Sequence, residues 1–103
     1  MYRLAVSVHE ARHLPQTQRV GEQDPYVVVS VGKQSLKTRV VDGGGVSPTW
    51  GEAMLALDLT TEEVESGMAT VAIKVMNKNV LMDAFIGAVT IPLDDLFGSG
   101  RVQ

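Results

Sequence analysis

Residues 9–13 read His9-Glu10-Ala11-Arg12-His13, a literal H-E-x-x-H. On a helix that spacing brings two imidazoles to one face, where they can hold zinc while the glutamate acts as general base. The chemistry needs the helix, and the neighbouring residues oppose one. Leu4, Val6 and Val8 alternate with Arg3, Ser7 and His9 as in a strand, and Pro15 follows two residues after His13. His9 and His13 are the two histidines of the chain, so a third ligand would have to be a carboxylate, and Arg12 sets a fixed positive charge beside the metal. A zinc hydrolase built on His9, Glu10 and His13 is therefore a remote reading. The expectation is a strand that ends and enters a loop. Asp42-Gly43-Gly44-Gly45 lacks the Lys-Ser/Thr of a phosphate loop, no G-x-S-x-G elbow occurs, and Asp94-Asp95 suit a helix start better than a shared proton. The expectation is that the chain is not an enzyme.

The chain has 103 residues, 45% of them hydrophobic and 20% charged, enough for one domain with its own core and too short for a cofactor domain beside a substrate domain. Cysteine is absent, which excludes disulfides, thiolate zinc sites and a cysteine nucleophile. The net charge of −3 disfavours nucleic acid as a partner, since phosphate neutralisation needs a basic surface. No apolar run is long enough to cross a bilayer, and the N-terminus has neither a signal-peptide core nor a myristoylation glycine. A cytoplasmic domain, peripheral at membranes or the cytoskeleton, is expected.

The period of the apolar residues is two. Tyr26 to Val31, Lys37 to Val40, Met54 to Leu59, Val71 to Val75 and Phe85 to Leu93 join the first strand, separated by Gly-, Ser- and Pro-containing turns. Val71, Ile73 and Val75 share one face, as do Val89, Ile91 and Leu93, whereas Met54 to Leu59 carries apolar residues on both sides. Thr60-Thr61-Glu62-Glu63 fits a capping box for a short helical turn. These features predict an all-β antiparallel sandwich of six or more strands with short helical turns in its loops, a single domain over residues 1–103.

The order of motifs is more specific than the periodicity. Leu4-x-Val6-x-Val8, Glu10-Ala11-x-x-Leu14-Pro15, Asp24-Pro25-Tyr26-Val27, Lys37-Thr38, Ser47-Pro48-Thr49-Trp50-x-Glu52, Val71-x-Ile73-x-Val75, Phe85-Ile86-Gly87 and Ile91-Pro92-Leu93 together resemble the C2 domain family over almost the whole chain. The resemblance implies a Greek-key sandwich of eight strands with three loops clustered at one end. Its opening on Leu4-x-Val6-x-Val8 is similar to the family's second topology. By that comparison the last two strands are missing, so that this is the N-terminal part of a longer protein or a shortened chain, or another chain supplies the pairing. A homodimer through an unpaired sheet edge is one such partner.

The resemblance also implies calcium between the first and third loops, with acidic phospholipid as partner. Carried over position by position, the acidic ligands fall on Gln18, Asp24, Asn77, Asn79 and Ala84, or Asp83 in place of Ala84 if the loop shifts by one. One clear carboxylate remains, and Arg19 and Lys78 lie in the same loops. Hard Ca²⁺ gains affinity with the number of carboxylates, so ligand chemistry disfavours it and no cofactor is expected. Val80-Leu81-Met82, with Val20, makes an apolar tip flanked by Arg19 and Lys78, suited to a membrane or a protein partner unless it folds back over the core. Lys33, Lys37 and Arg39 resemble the family's basic patch for phosphoinositides. The reading is a non-catalytic module for protein interaction or membrane recruitment, working without calcium; calcium-dependent phospholipid binding is the alternative.

Overall fold

A computed structural model describes residues 2–98. The elements follow in the order β1 (Tyr2–Glu10), β2 (Pro25–Val31), β3 (Gln34–Lys37), β4 (Thr49–Leu59), α1 (Thr61–Ser66), β5 (Thr70–Asn77), β6 (Ala84–Pro92) and α2 (Leu93–Gly98). Two antiparallel sheets face each other, one of order β1-β4 and one of order β3-β2-β5-β6. Between them lie Val27, Val29, Val31, Trp50, Leu57, Leu59, Val71 and Leu93, all buried. Each Val or Leu so enclosed contributes about 1.5–3 kcal/mol relative to leaving it in water.

The two-faced segment Met54 to Leu59 is settled by its register with β1. Leu57 pairs with Leu4 and Leu55 with Val6, so these point inward. Asp58 pairs with Arg3 on the outer side, where the guanidinium Nε meets the carboxylate at 3.1 Å, and Met54 stays exposed.

Two strands depart from the sequence reading. The segment read as Lys37 to Val40 is a strand only up to Lys37. Thr38 ends the ladder because its Oγ1 accepts from the Val27 N–H at 2.9 Å, taking the place of a backbone carbonyl, while the Thr38 N–H donates to the Val27 carbonyl at 2.9 Å. In β6 the register against β5 shifts between Val75 and Met76. The extra residue, Ile86, is buried, and Phe85 is turned to the outer face beside Met76. Val89 and Ile91 share a face as read and, paired with Ile73 and Val71, turn it inward, whereas Leu93, read as the end of the same strand, opens α2 instead. Val89 is nonetheless 52% exposed, because β6 is the edge of a four-stranded sheet whose facing sheet has two strands among the described residues.

The capping box forms as read. Thr60 Oγ1 accepts from the Glu63 N–H at 3.0 Å, and the Glu63 carboxylate accepts from the Thr60 N–H at 2.8 Å. Gly67 ends α1 at φ 72°, a left-handed conformation that a side chain would strain.

Candidate functional site

Three loops leave the sheets at one end: residues 11–24 between β1 and β2, 38–48 between β3 and β4, and 78–83 between β5 and β6. The pairing of Glu10 with Thr49 and of Pro25 with Asn77 puts all three together. The first and second loops are stitched by backbone bonds, Ala11 N–H to the Pro48 carbonyl at 3.1 Å and Leu14 N–H to the Val46 carbonyl at 3.0 Å. Gly44 sits where a β-carbon would lie 2.9 Å from Pro48 and 3.1 Å from Pro25, so only glycine lets the second loop approach.

Side chains complete the brace. Gln23, fully buried, accepts from the N–H and hydroxyl of Thr17 at 2.7 and 2.6 Å and donates to the Gly45 carbonyl at 3.2 Å. The Asp24 carboxylate accepts from the Gly43 N–H at 2.8 Å. Buried Asn77 accepts from the Asp24 N–H at 2.8 Å and donates to Gln18 at 3.0 Å, and the Lys78 N–H donates to the Asp24 carbonyl at 3.0 Å. Asn79 donates through its amide to the Met82 carbonyl at 3.1 Å. The Asp83 carboxylate accepts from the Asn79 N–H at 3.0 Å and from the Tyr26 hydroxyl, with Lys78 Nζ at 3.8 Å. The hydrogen bond from Tyr26 foremost, then that from Asn79, holds the Asp83 carboxyl below its usual value.

All the loop positions singled out from the sequence therefore lie at this end, but their polar groups mostly face one another. Gln18 and Asn77 are joined to the Asp24 backbone in one chain of hydrogen bonds, Asp83 is joined to Tyr26 and to the Asn79 N–H in another, and Ala84 has no polar side-chain atom to offer. Among the described residues no three His, Cys, Asp or Glu side chains gather as metal ligands would. Beyond the network the tip stands free: Val80, Leu81 and Met82 are 99%, 98% and 81% exposed, with Val20 and Arg19 exposed on the first loop. The trio does not fold back over the core.

The three cations grouped from the sequence lie apart in the structure. Lys33 lies in the turn between β2 and β3, at the opposite end, in a cleft with Asp58, Glu62 and Glu63. Arg39 follows the end of β3, so the three cations do not share one strand face. Lys37 does face out, its Nζ 5.8 Å from the centre of the Tyr26 ring. Its companion is Lys74: both pair with Val28, from either side, about 10 Å apart across two strand spacings. Lys74 was readable as an outward residue of its strand, but only the sheet order makes it a neighbour of Lys37.

The H-E-x-x-H residues are dispersed. His9 lies on the outer face of β1, where Nδ1 donates to the Gly51 carbonyl at 2.9 Å, leaving Nε2 to accept from the Ser7 hydroxyl at 3.2 Å. Glu10 pairs with Arg12 Nε at 2.6 Å, and His13 lies in the loop at φ 56°. A strand and a loop cannot bring the two imidazoles to one metal as a helix would.

A family model described as the C2 domain matches residues 2–103. The chain belongs to the C2 domain family. This C2 domain is 29% identical over 100 residues to the 16 kDa phloem protein 2 of Arabidopsis thaliana, a match taking in 96% of this chain and 64% of that protein. It is 31% identical over 99 residues to Rab11 family-interacting protein 5 of Homo sapiens, covering 78% of this chain and 15% of that one. Among solved structures, the paired C2 domains of Extended-Synaptotagmin 2 with calcium bound share its fold at a TM-score of 0.79 and 22% identity, over 94% of this chain and 36% of that. A C2 domain-containing protein from a putative elicitor-responsive gene shares it at 0.72 and 27% identity, over 96% and 69%. No described helix of this C2 domain is long and apolar enough to cross a membrane.

Proposed function

We propose that this C2 domain is a non-catalytic recruitment module that engages an anionic phospholipid surface, or a protein partner, through the tip formed by Val20 and Val80-Leu81-Met82, without calcium. The observation that carries the reading is the near-complete exposure of three consecutive apolar side chains on a loop whose base is braced to its neighbours. Exposed apolar groups rimmed by cations insert shallowly at an interface, and Arg19 and Lys78 supply the cations. With a net charge of −3 the domain gains little from long-range attraction, so the contact itself must supply most of the affinity.

Calcium independence is supported by donor chemistry. Ca²⁺ takes six to eight oxygens and needs carboxylates to offset its charge. Two carboxylates, Asp24 and Asp83, remain at the carried-over positions; one accepts from a backbone N–H and the other from a hydroxyl and a backbone N–H. The residues present do not fit a calcium ion. Lys37 and Lys74 on the outer sheet face offer a second contact to lipid phosphates. The unpaired edge of β1, which among the described residues is bonded only to β4, is where a second chain would add a strand.

The test is co-sedimentation with phosphatidylserine-containing vesicles in EDTA. Binding is expected for the natural chain and is expected to vanish in Leu81→Asp at unchanged melting temperature. Undiminished binding by Leu81→Asp would remove the tip from the interface.

A further inference from the structure

Beside the backbone bond from the Lys78 N–H to the Asp24 carbonyl, the brace at the first and third loops contains two side-chain amides whose orientations the backbone dictates. The Asp24 N–H can only donate, so the Asn77 oxygen faces it at 2.8 Å and the Asn77 amino group turns toward Gln18. The carbonyls of Val20 and Glu22 can only accept, so the Gln18 amino group faces them at 2.8 and 3.0 Å and its oxygen turns toward Asn77. The two amides then meet donor to acceptor at 3.0 Å. The turn Val20-Gly21-Glu22 wraps the Gln18 amino group closely: Gly21 adopts φ +78°, and a β-carbon there would lie 3.4 Å from the nitrogen. Asn77 is 1% exposed, so its amide is held out of water and must be satisfied inside the protein.

We infer that this amide relay is a built-in substitute for a bridging cation, holding the first loop to the third so that Val20 and Val80-Leu81-Met82 are presented together with no metal bound. The Val20 and Glu22 carbonyls accept from the Gln18 amino group within the first loop, and the Gln18 oxygen accepts from Asn77 across to the end of β5. Each of these oxygens thus meets an N–H where a cation could otherwise be held. Replacing each amide nitrogen by oxygen, Gln18→Glu with Asn77→Asp, changes no volume. It sets a carboxylate against two carbonyls and a second carboxylate against the first. Acceptors facing acceptors repel, and a hard cation is the species that would hold them together. The clasp stands on hydrogen-bond geometry alone; its consequence at a membrane rests on the tip reading above.

The experiment compares the natural 103-residue chain with the Gln18→Glu/Asn77→Asp double variant. Amide hydrogen exchange is followed at residues 18–24 and 77–83 in EDTA and in about 1 mM Ca²⁺, with sedimentation on phosphatidylserine/phosphatidylcholine vesicles alongside. The natural chain is expected to show the same protection in both buffers. The double variant should lose about tenfold or more in protection in EDTA and recover it with calcium, its vesicle binding following the same pattern. Full protection of the double variant in EDTA would overturn the inference, as would a loss that calcium does not repair or a natural chain whose loops tighten on adding calcium. A natural chain that binds no vesicle overturns the tip reading instead, and the exchange data still decide the clasp. Should Trp50 fluorescence show that the double variant is unfolded, Gln18→Glu alone, at a half-buried loop position, is judged by the same outcomes.

Discussion

The Tyr26 hydroxyl donates to the Asp83 carboxylate across 57 residues of sequence, tying the start of β2 to the base of the third loop. That bond is the foremost cause of two opposite displacements, holding the Asp83 carboxyl below its usual value and raising the Tyr26 phenol above its own. Burial adds to the rise of the phenol, while the Asn79 N–H and the charges of Lys78 and Lys37 add to the lowering of the carboxyl.

Both displacements make stability depend on pH, with opposite signs. The Asp83 contribution is present above the unfolded carboxyl value of about 3.9 and is lost as pH falls through the lower folded value. The Tyr26 contribution is present below the unfolded phenol value of about 10 and is lost as pH rises through the higher folded value. Tyr26→Phe removes the shared bond. Its deficit in melting temperature should therefore be largest near neutrality and narrow toward both extremes. Melts from pH 2 to 11 (roughly the span of the two titrations) check this, and a deficit constant across the range would refute the linkage.

Trp50 is 3% exposed, and its indole N–H donates to the Arg39 carbonyl at 3.1 Å. Trp50→Ala should cost about 3–5 kcal/mol, the loss of a large buried side chain plus its cavity. Trp50→Phe should cost less than the alanine variant. It keeps much of the ring volume, and the Arg39 carbonyl it abandons still accepts from Thr38 Oγ1 at 2.9 Å and so is not left without a partner. Urea midpoints of the two variants test the order; equal losses would mean that the hydrogen bond outweighs the packing.

What could be read before the structure follows from where the information lies. Alternation along a strand is local, so Val27, Val29 and Val31 and the inward face of β5 were plain, as was the capping box at Thr60, which spans four residues. Relations between strands are not local. The inward face of Met54 to Leu59 needed the pairing with Leu4 and Val6, and the kinship of Lys37 with Lys74 needed β2 between them. Period two also misled: Lys33, Lys37 and Arg39 sit at even spacing, yet a turn and the Thr38 hydroxyl interrupt the strand on either side. In the loops, the replacement of acids by Gln18 and Asn77 was visible as residue types. Their joining into one relay was not, and Gln23, buried beneath them, carried no signal at all except its place before Asp24-Pro25.

The edge of β4 carries a further consequence of side-chain amides standing in for other partners. The Gln34 side chain donates to the Asp58 carbonyl and accepts from the Asp58 N–H at 2.8 Å. These are the two backbone groups that point away from β1, since Asp58 and Arg3 form a non-hydrogen-bonded pair whose side chains meet at 3.1 Å. Gln34 thus occupies the two bonds that an added strand would make there. Gln34→Ala should lose about 1–3 kcal/mol, the sum of two partly solvated hydrogen bonds, and leave an unpaired stretch of edge open to another chain. Urea unfolding should register the loss, and sedimentation velocity should show the variant self-associating at concentrations where the natural chain does not. Lost stability without added association would mean that the twist of β4, rather than Gln34, guards this edge.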